Sequence, residues 1–223
     1  MRDHHDWANG IRDAVVKGDL KTARRFGSEL AEHTQQPRLV DLELPHLVAM
    51  RSAAQASASA TKLDPAGAAL GRLAATCGAC HRALSVTPRF HLVPRPTGNP
   101  DPKSRMALHR WAADRLWEGL GPFDASWQQG TQALQGSSLC ALSDSARPAA
   151  AGADKRSAPP PPPPPSPAAH DLRVRLDELV HEAPRLENPE KRGDWYGRFI
   201  TTCARCHEAG CDVAPLGKPA QPK

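Results

Sequence analysis

The amino-acid sequence predicts an all-α protein built from two tandem four-helix bundles. Three observations lead there: apolar residues recur at the three-to-four spacing of a helix face, no stretch alternates like a half-buried strand, and the chain repeats itself. His5-Asp6-Trp7-Ala8 resembles His109-Arg110-Trp111-Ala112. Each opens an amphipathic stretch ending near a Gly and an Asp, Gly18 and Asp19 in the first copy and Gly121 and Asp124 in the second. Trp7 precedes Cys77 by 70 residues and Trp111 precedes Cys203 by 92, a surplus of 22. The segment 147–168 is also 22 residues long and holds seven consecutive prolines, Pro159 to Pro165. Such a run donates no amide hydrogens and favours an extended polyproline II strut, so it reads as an exposed insertion. The expected domains are 1–95 and 103–223, the second carrying a Pro-rich disordered insertion at 147–168.

Each element follows from its own signals. In the first copy the helices are expected at 2–16, at 20–33 behind the N-cap candidate Asp19, at 45–60 opening with Pro45, and at 65–83 with Asp64 as N-cap and Pro65 in the first turn. The second copy gives 104–118 with Ser104 as a cap, 125–136, 170–182, and 189–208 opening with Asn188-Pro189. Helices of this length, each with one apolar stripe, suit an up-and-down bundle per copy.

Composition narrows the function. No run of about 18 apolar residues occurs, so no transmembrane segment is expected. The net charge of +5, from 29 basic and 24 acidic residues, is spread along the chain without the dense basic stripe that nucleic-acid binding needs. Only ten of the 223 residues are aromatic, and a large apolar cofactor would complete so ring-poor a core. The N-terminus lacks the charged, apolar and small-residue succession of an export signal. The Trp7 to Trp111 offset of 104 maps Met1 onto Arg105, so the first copy lacks the lead-in of the second. An upstream segment removed or lost is the expectation.

The strongest signal is two pentapeptides, Cys77-Gly78-Ala79-Cys80-His81 and Cys203-Ala204-Arg205-Cys206-His207. Chance supplies one such pattern on the order of 0.01 times in a chain of this composition. Cys-Xaa-Xaa-Cys-His is the attachment pattern of c-type haem: two thiols on one turn add to the two vinyl groups, and the adjacent imidazole is aimed at the iron. Zinc ribbons space their pairs by about 15–20 residues, whereas these pairs start 126 apart. A thioredoxin-like pair needs a βαβ setting that this helical pattern lacks. Structural cysteines have no reason to recur in this form in both copies.

Both motifs end the fourth helix of their copy. With Leu73 to Leu84 and Phe199 to Ala209 as haem helices, the sequence resembles the cytochrome c prime family and its low-spin relatives, four-helix bundles with haem at a C-terminal CxxCH. The resemblance covers two bundle-sized units, although only the motif and its position are specific. It implies a C-terminal haem c helix in each bundle, two covalently bound haem c groups on Cys77, Cys80, Cys203 and Cys206, and His81 and His207 as proximal iron ligands. It also implies a periplasmic or otherwise exported protein.

For the distal iron position, low-spin members of that family use a Met of the first helix. Here the first helix of each copy offers a repeated His, His5 and His109. His5 falls in register with Ala8, Ile11 and Val15, and His109 with Ala112, Leu116 and Gly119, so both lie on or beside the apolar stripe. They are the candidate distal ligands, the alternative being partly exposed histidines at helix starts. Met50 and Met106 do not recur and read as packing. Trp7 and Trp111 are expected against the macrocycle or a neighbouring helix. Arg72, Arg82, Arg198 and Arg205 lie near the motifs, where solvation is the default and pairing with haem propionates the alternative. Cys140 and Cys211 are either a disulfide or separate thiols.

No general acid, nucleophile or phosphate loop is visible. The expectation is therefore a dihaem electron carrier, not an enzyme, that exchanges single electrons with redox partner proteins. A gas-binding sensor or scavenger is the alternative, and a dihaem peroxidase a more distant one.

Overall fold

A computed structural model describes residues 2–33, 44–88, 93–97, 102–135 and 167–209. Among them are eight α-helices, one 3-10 turn and no strand, as an all-α sequence demands. The helices are α1 (Arg2–Val16), α2 (Leu20–His33), α3 (Leu44–Ala58), α4 (Leu63–Ala83), α5 (Pro102–Gly119), α6 (Asp124–Gln135), α7 (Pro167–Glu182) and α8 (Pro189–Glu208).

Local chemistry sets most of these boundaries. Gly18 takes the left-handed conformation, φ 71°, that ends α1, and the Asp19 carboxylate accepts the Thr22 amide at 3.0 Å to start α2. The Asn188 side chain accepts the Glu190 and Lys191 amides at the head of α8, with Pro189 in the first turn, where its missing amide hydrogen costs nothing. One expected cap is not used. Lys62 occupies the N-cap of α4 without a side-chain bond, and Asp64 pairs with Arg205 instead. Ser104 lies inside α5, which starts two residues earlier, and α7 starts at Pro167 within the expected insertion. The rest of 147–168 lies outside the described residues.

In the first half α1, α2, α3 and α4 pack successively, with α1 also against α4. Their interior is made of small residues, Ala8, Ala14, Ala23, Ala54, Ala66 and Ala69, around Ile11, Leu30, Leu70 and Leu73. The second half is filled by rings: Trp127, Trp195, Tyr196 and Phe199 are almost completely buried. Trp195 stacks on Phe199 at 5.1 Å and meets Trp127 edge-on at 5.3 Å. Both indoles satisfy their N–H groups, Trp127 on the Ala183 carbonyl at 3.1 Å and Trp195 on the Leu179 carbonyl at 2.8 Å. The buried residues of both halves belong to one connected core.

The join between the halves is the most extensive helix contact, α4 against α8. Gly67 faces Gly197 and Gly71 faces Gly193, the pairing order of antiparallel helices. A methyl group on Gly67 would stand 2.7 Å from the Gly197 carbonyl oxygen, and one on Gly193 would stand 2.5 Å from that of Gly71. Backbones this close tolerate no side chain at the crossing. The glycines recur at equal positions, ten and six residues before Cys77 and ten and six before Cys203, so the two helices cross with approximate twofold symmetry.

Candidate functional site

Both pentapeptides sit on the last turns of the crossing helices, Cys77, Cys80 and His81 on α4 and Cys203, Cys206 and His207 on α8. Offsets of three and four residues keep the two sulfurs and the imidazole of each set on one side of the helix. Cys77 and Cys203 are partly buried against the core, and Cys206 is buried. Burial pushes the Cys77 and Cys203 thiols up to about 12, so both are protonated at neutral pH. None of the four is in a disulfide. Cys140 and Cys211 lie outside the described residues.

The first helix of the chain approaches the first motif. The His81 imidazole is held below its ordinary range by burial first and then by electrostatic interaction with His5. Ala8, Ile11 and Val15 are buried as the stripe requires, but His5 itself is exposed, with half of its side chain in solvent. The Asn9 amide donates to the His5 ring, 3.1 Å from Nδ1 and 3.2 Å from Nε2. The corresponding residue of the second copy is different. His109 is half-buried, and burial followed by the nearby Arg105 charge lowers it to about 4. His207 is lowered by burial alone. His5 thus acts electrostatically on His81, while His109 is half-buried in its own half.

Sequence periodicity missed a ring cluster joining α1 to the end of α2. His4 and His33 meet edge-on at 5.1 Å, and the Trp7 ring lies 4.7 Å from His33. Trp7 thus packs on a neighbouring helix. Trp111 takes a different partner, donating to the Val93 carbonyl at 2.8 Å, with Arg95 and Arg115 over its ring. Met50 is buried in the core, consistent with packing.

Each motif also touches the other half. Gly78, inside the first motif, lies against the Leu120 carbonyl and Gly121, and Arg82 donates to the Gly121 carbonyl at 3.0 Å. At the other end, Gly18 lies against the Glu208 carboxylate, and Arg205, inside the second motif, pairs with Asp64. The repeated Gly and Asp turns after α1 and α5 are therefore seats for the end of the partner copy's last helix. Arg198 pairs with Glu182 at 2.8 Å, and Arg72 is exposed.

The donor set can be tested against the ions it might hold. One ion cannot collect both cysteine pairs. Arg205 lies beside Asp64, and Cys77 is thirteen positions further along α4, about 20 Å of helix. Among the described residues no three His, Cys, Asp or Glu side chains converge as a metal cage. Two thiols and one or two imidazoles per site fit haem, because the porphyrin brings four of the iron's ligands and the protein need supply only the axial ones. No helix among the described residues is long and apolar enough to cross a membrane. No protein-family model matches the chain, and no curated protein or solved structure is significantly similar to it.

Proposed function

We propose that the chain is a dihaem c-type cytochrome, two tandem four-helix bundles that carry single electrons between redox partner proteins outside the cytoplasm. One observation carries this reading: CxxCH recurs at the same place on the last helix of both copies, with all four cysteines kept as thiols. Thioether attachment consumes thiols, each S–H adding across a vinyl double bond, so cysteines already in disulfides would not serve. Cys77, Cys80, Cys203 and Cys206 hold the two haems, and His81 and His207 supply the proximal nitrogens. His5 and His109 are the distal candidates, and the electrostatic interaction of His5 with His81 supports the first pair. When bound, the haem supplies an iron that gains and loses one electron. The chain's own residues fix its position, exclude water and set the electrostatic surroundings that tune its potential. Haem c is attached on the outer side of the bacterial cytoplasmic membrane, which makes the proposed location periplasmic or otherwise exported.

The test is a pyridine haemochrome spectrum and haem count on protein matured in a host that makes c-type cytochromes. Two haems per chain, retained through acid acetone, are expected. A colourless product, or pigment extracted by acid acetone, overturns the proposal. A gas-binding role is the second reading, favoured by the exposure of His5, a ligand that a small molecule could displace. Carbon monoxide added to the reduced protein separates the two: slow or partial binding fits electron transfer, and an immediate Soret shift at both haems fits gas binding.

A further inference from the structure

We infer that the two CxxCH motifs form two separate electron ports, one at each end of the α4/α8 pair, which work as independent one-electron centres and not as a two-electron unit. The inference rests on the haem proposal above and adds the spatial relation between the sites. Three contacts fix that relation. The glycine pairs, Gly67 with Gly197 and Gly71 with Gly193, set α4 and α8 antiparallel and place the crossing in the first half of each helix. Arg205, between the cysteines of the second motif, pairs with Asp64 at the start of α4. Gly78, between the cysteines of the first motif, meets Leu120 and Gly121 at the end of α5. The motifs therefore lie on opposite sides of the crossing, with about 20 Å of helix between their near ends.

Both ends reach the surface: Arg82 and Ala83 are exposed beside the first motif, and Glu208 beside the second. A partner that docks at one end to meet one haem is thereby held away from the other. The separation also weakens coupling. A unit charge at about 20 Å shifts an equilibrium constant by about fourfold at an effective dielectric constant near 20, and physiological salt, with a screening length of about 8 Å, reduces this further. Side-by-side haems would instead influence one another strongly and load electrons as a pair.

The experiment compares the haem-loaded full chain with two variants, Cys77→Ala/Cys80→Ala and Cys203→Ala/Cys206→Ala, by potentiometric titration and electron paramagnetic resonance. Each variant is expected to retain one haem. Its reduction equilibrium constant should stay within about fourfold of that haem's value in the intact protein, and the two variant spectra should sum to the intact spectrum. A shift of tenfold or more overturns the inference. The intact protein gives a check that needs no variant: two one-electron steps that move little with added salt, and no magnetic interaction between the oxidised centres. Magnetic splitting or broadening in the intact protein also overturns it. Failure of the haem proposal looks different, since the haem count of the intact protein would then fall short of two.

Discussion

A thiol kept among apolar neighbours holds its proton more tightly than one in an unfolded chain, and this gives the cysteines a measurable signature before any haem is attached. Burial raises Cys77 and Cys203 from an ordinary 9.0 to about 12. Between those values the unfolded chain has lost protons that the folded chain keeps, so stability falls as pH rises through the window, by up to about 1.4 kcal/mol per thiol per pH unit. Tyr196, raised by burial against the opposing charge of Arg12, adds to the loss above pH 10. Apoprotein should therefore show a falling urea midpoint from pH 9 upward. The Cys77→Ser/Cys203→Ser apoprotein, and the haem-loaded protein whose sulfurs carry no proton, should lack the thiol part of that fall. Under the haem proposal, the candidate distal histidines give a second residue-scale prediction. His109→Ala should convert the second haem from low to high spin and leave the first unchanged, His5→Ala should do the reverse, and both effects are read by electron paramagnetic resonance. Periodicity put both histidines on or beside the apolar stripe, yet His5 is exposed and His109 half-buried. Helical register assigns a face, but it does not say how far a helix end projects beyond its neighbours.

At the scale of single elements the chain was legible wherever a local rule decides. Gly18 with Asp19, and Asn188 with Pro189, fix two helix starts through backbone conformation and two capping side chains. Asp19→Ala and Asn188→Ala should each cost about 1 kcal/mol of stability in chemical denaturation. Asp64 carries the same local signal and caps nothing, because a long-range ion pair claimed it, while Ser104 lies inside a helix that starts two residues earlier. The glycine seam was legible in principle, since Gly67, Gly71, Gly193 and Gly197 recur at fixed distances before the cysteines. Spacing within one helix does not announce its partner, however, and a repeat analysis that places each copy in its own bundle looks for the seam inside a copy. Gly71→Val should cost about 3 kcal/mol or more through backbone displacement, roughly 6 to 12 °C in Tm. Val16→Ala, at a partly buried position away from the crossing, should cost much less.

For the molecule as a whole, the seam and the exchanged turn contacts decide how it unfolds. Two tandem bundles joined by a connector alone would melt as two units, each with its own midpoint. Here the buried residues of both halves form one core, α4 and α8 lie backbone to backbone, and each motif-bearing helix ends against a turn of the other half. The ion pairs Arg205–Asp64 and Arg12–Asp114 also cross between halves; both are partly exposed and add little stability. Apolar burial is the larger effect, about 1.5–3 kcal/mol for each large side chain taken from water, and much of it is shared across the join. Opening one half exposes the glycine face of the other's last helix, which has no side chains with which to repack. Unfolding should therefore be a single cooperative transition, with calorimetric and van't Hoff enthalpies in agreement, and far-ultraviolet and tryptophan signals should move together. The five tryptophans make this test sharp: Trp7 reports the first half, while Trp111, Trp117, Trp127 and Trp195 report the second. Because haem quenches nearby indole fluorescence, the comparison belongs in the apoprotein, where a helix signal that melts before the tryptophan signal would show that the copies stand apart.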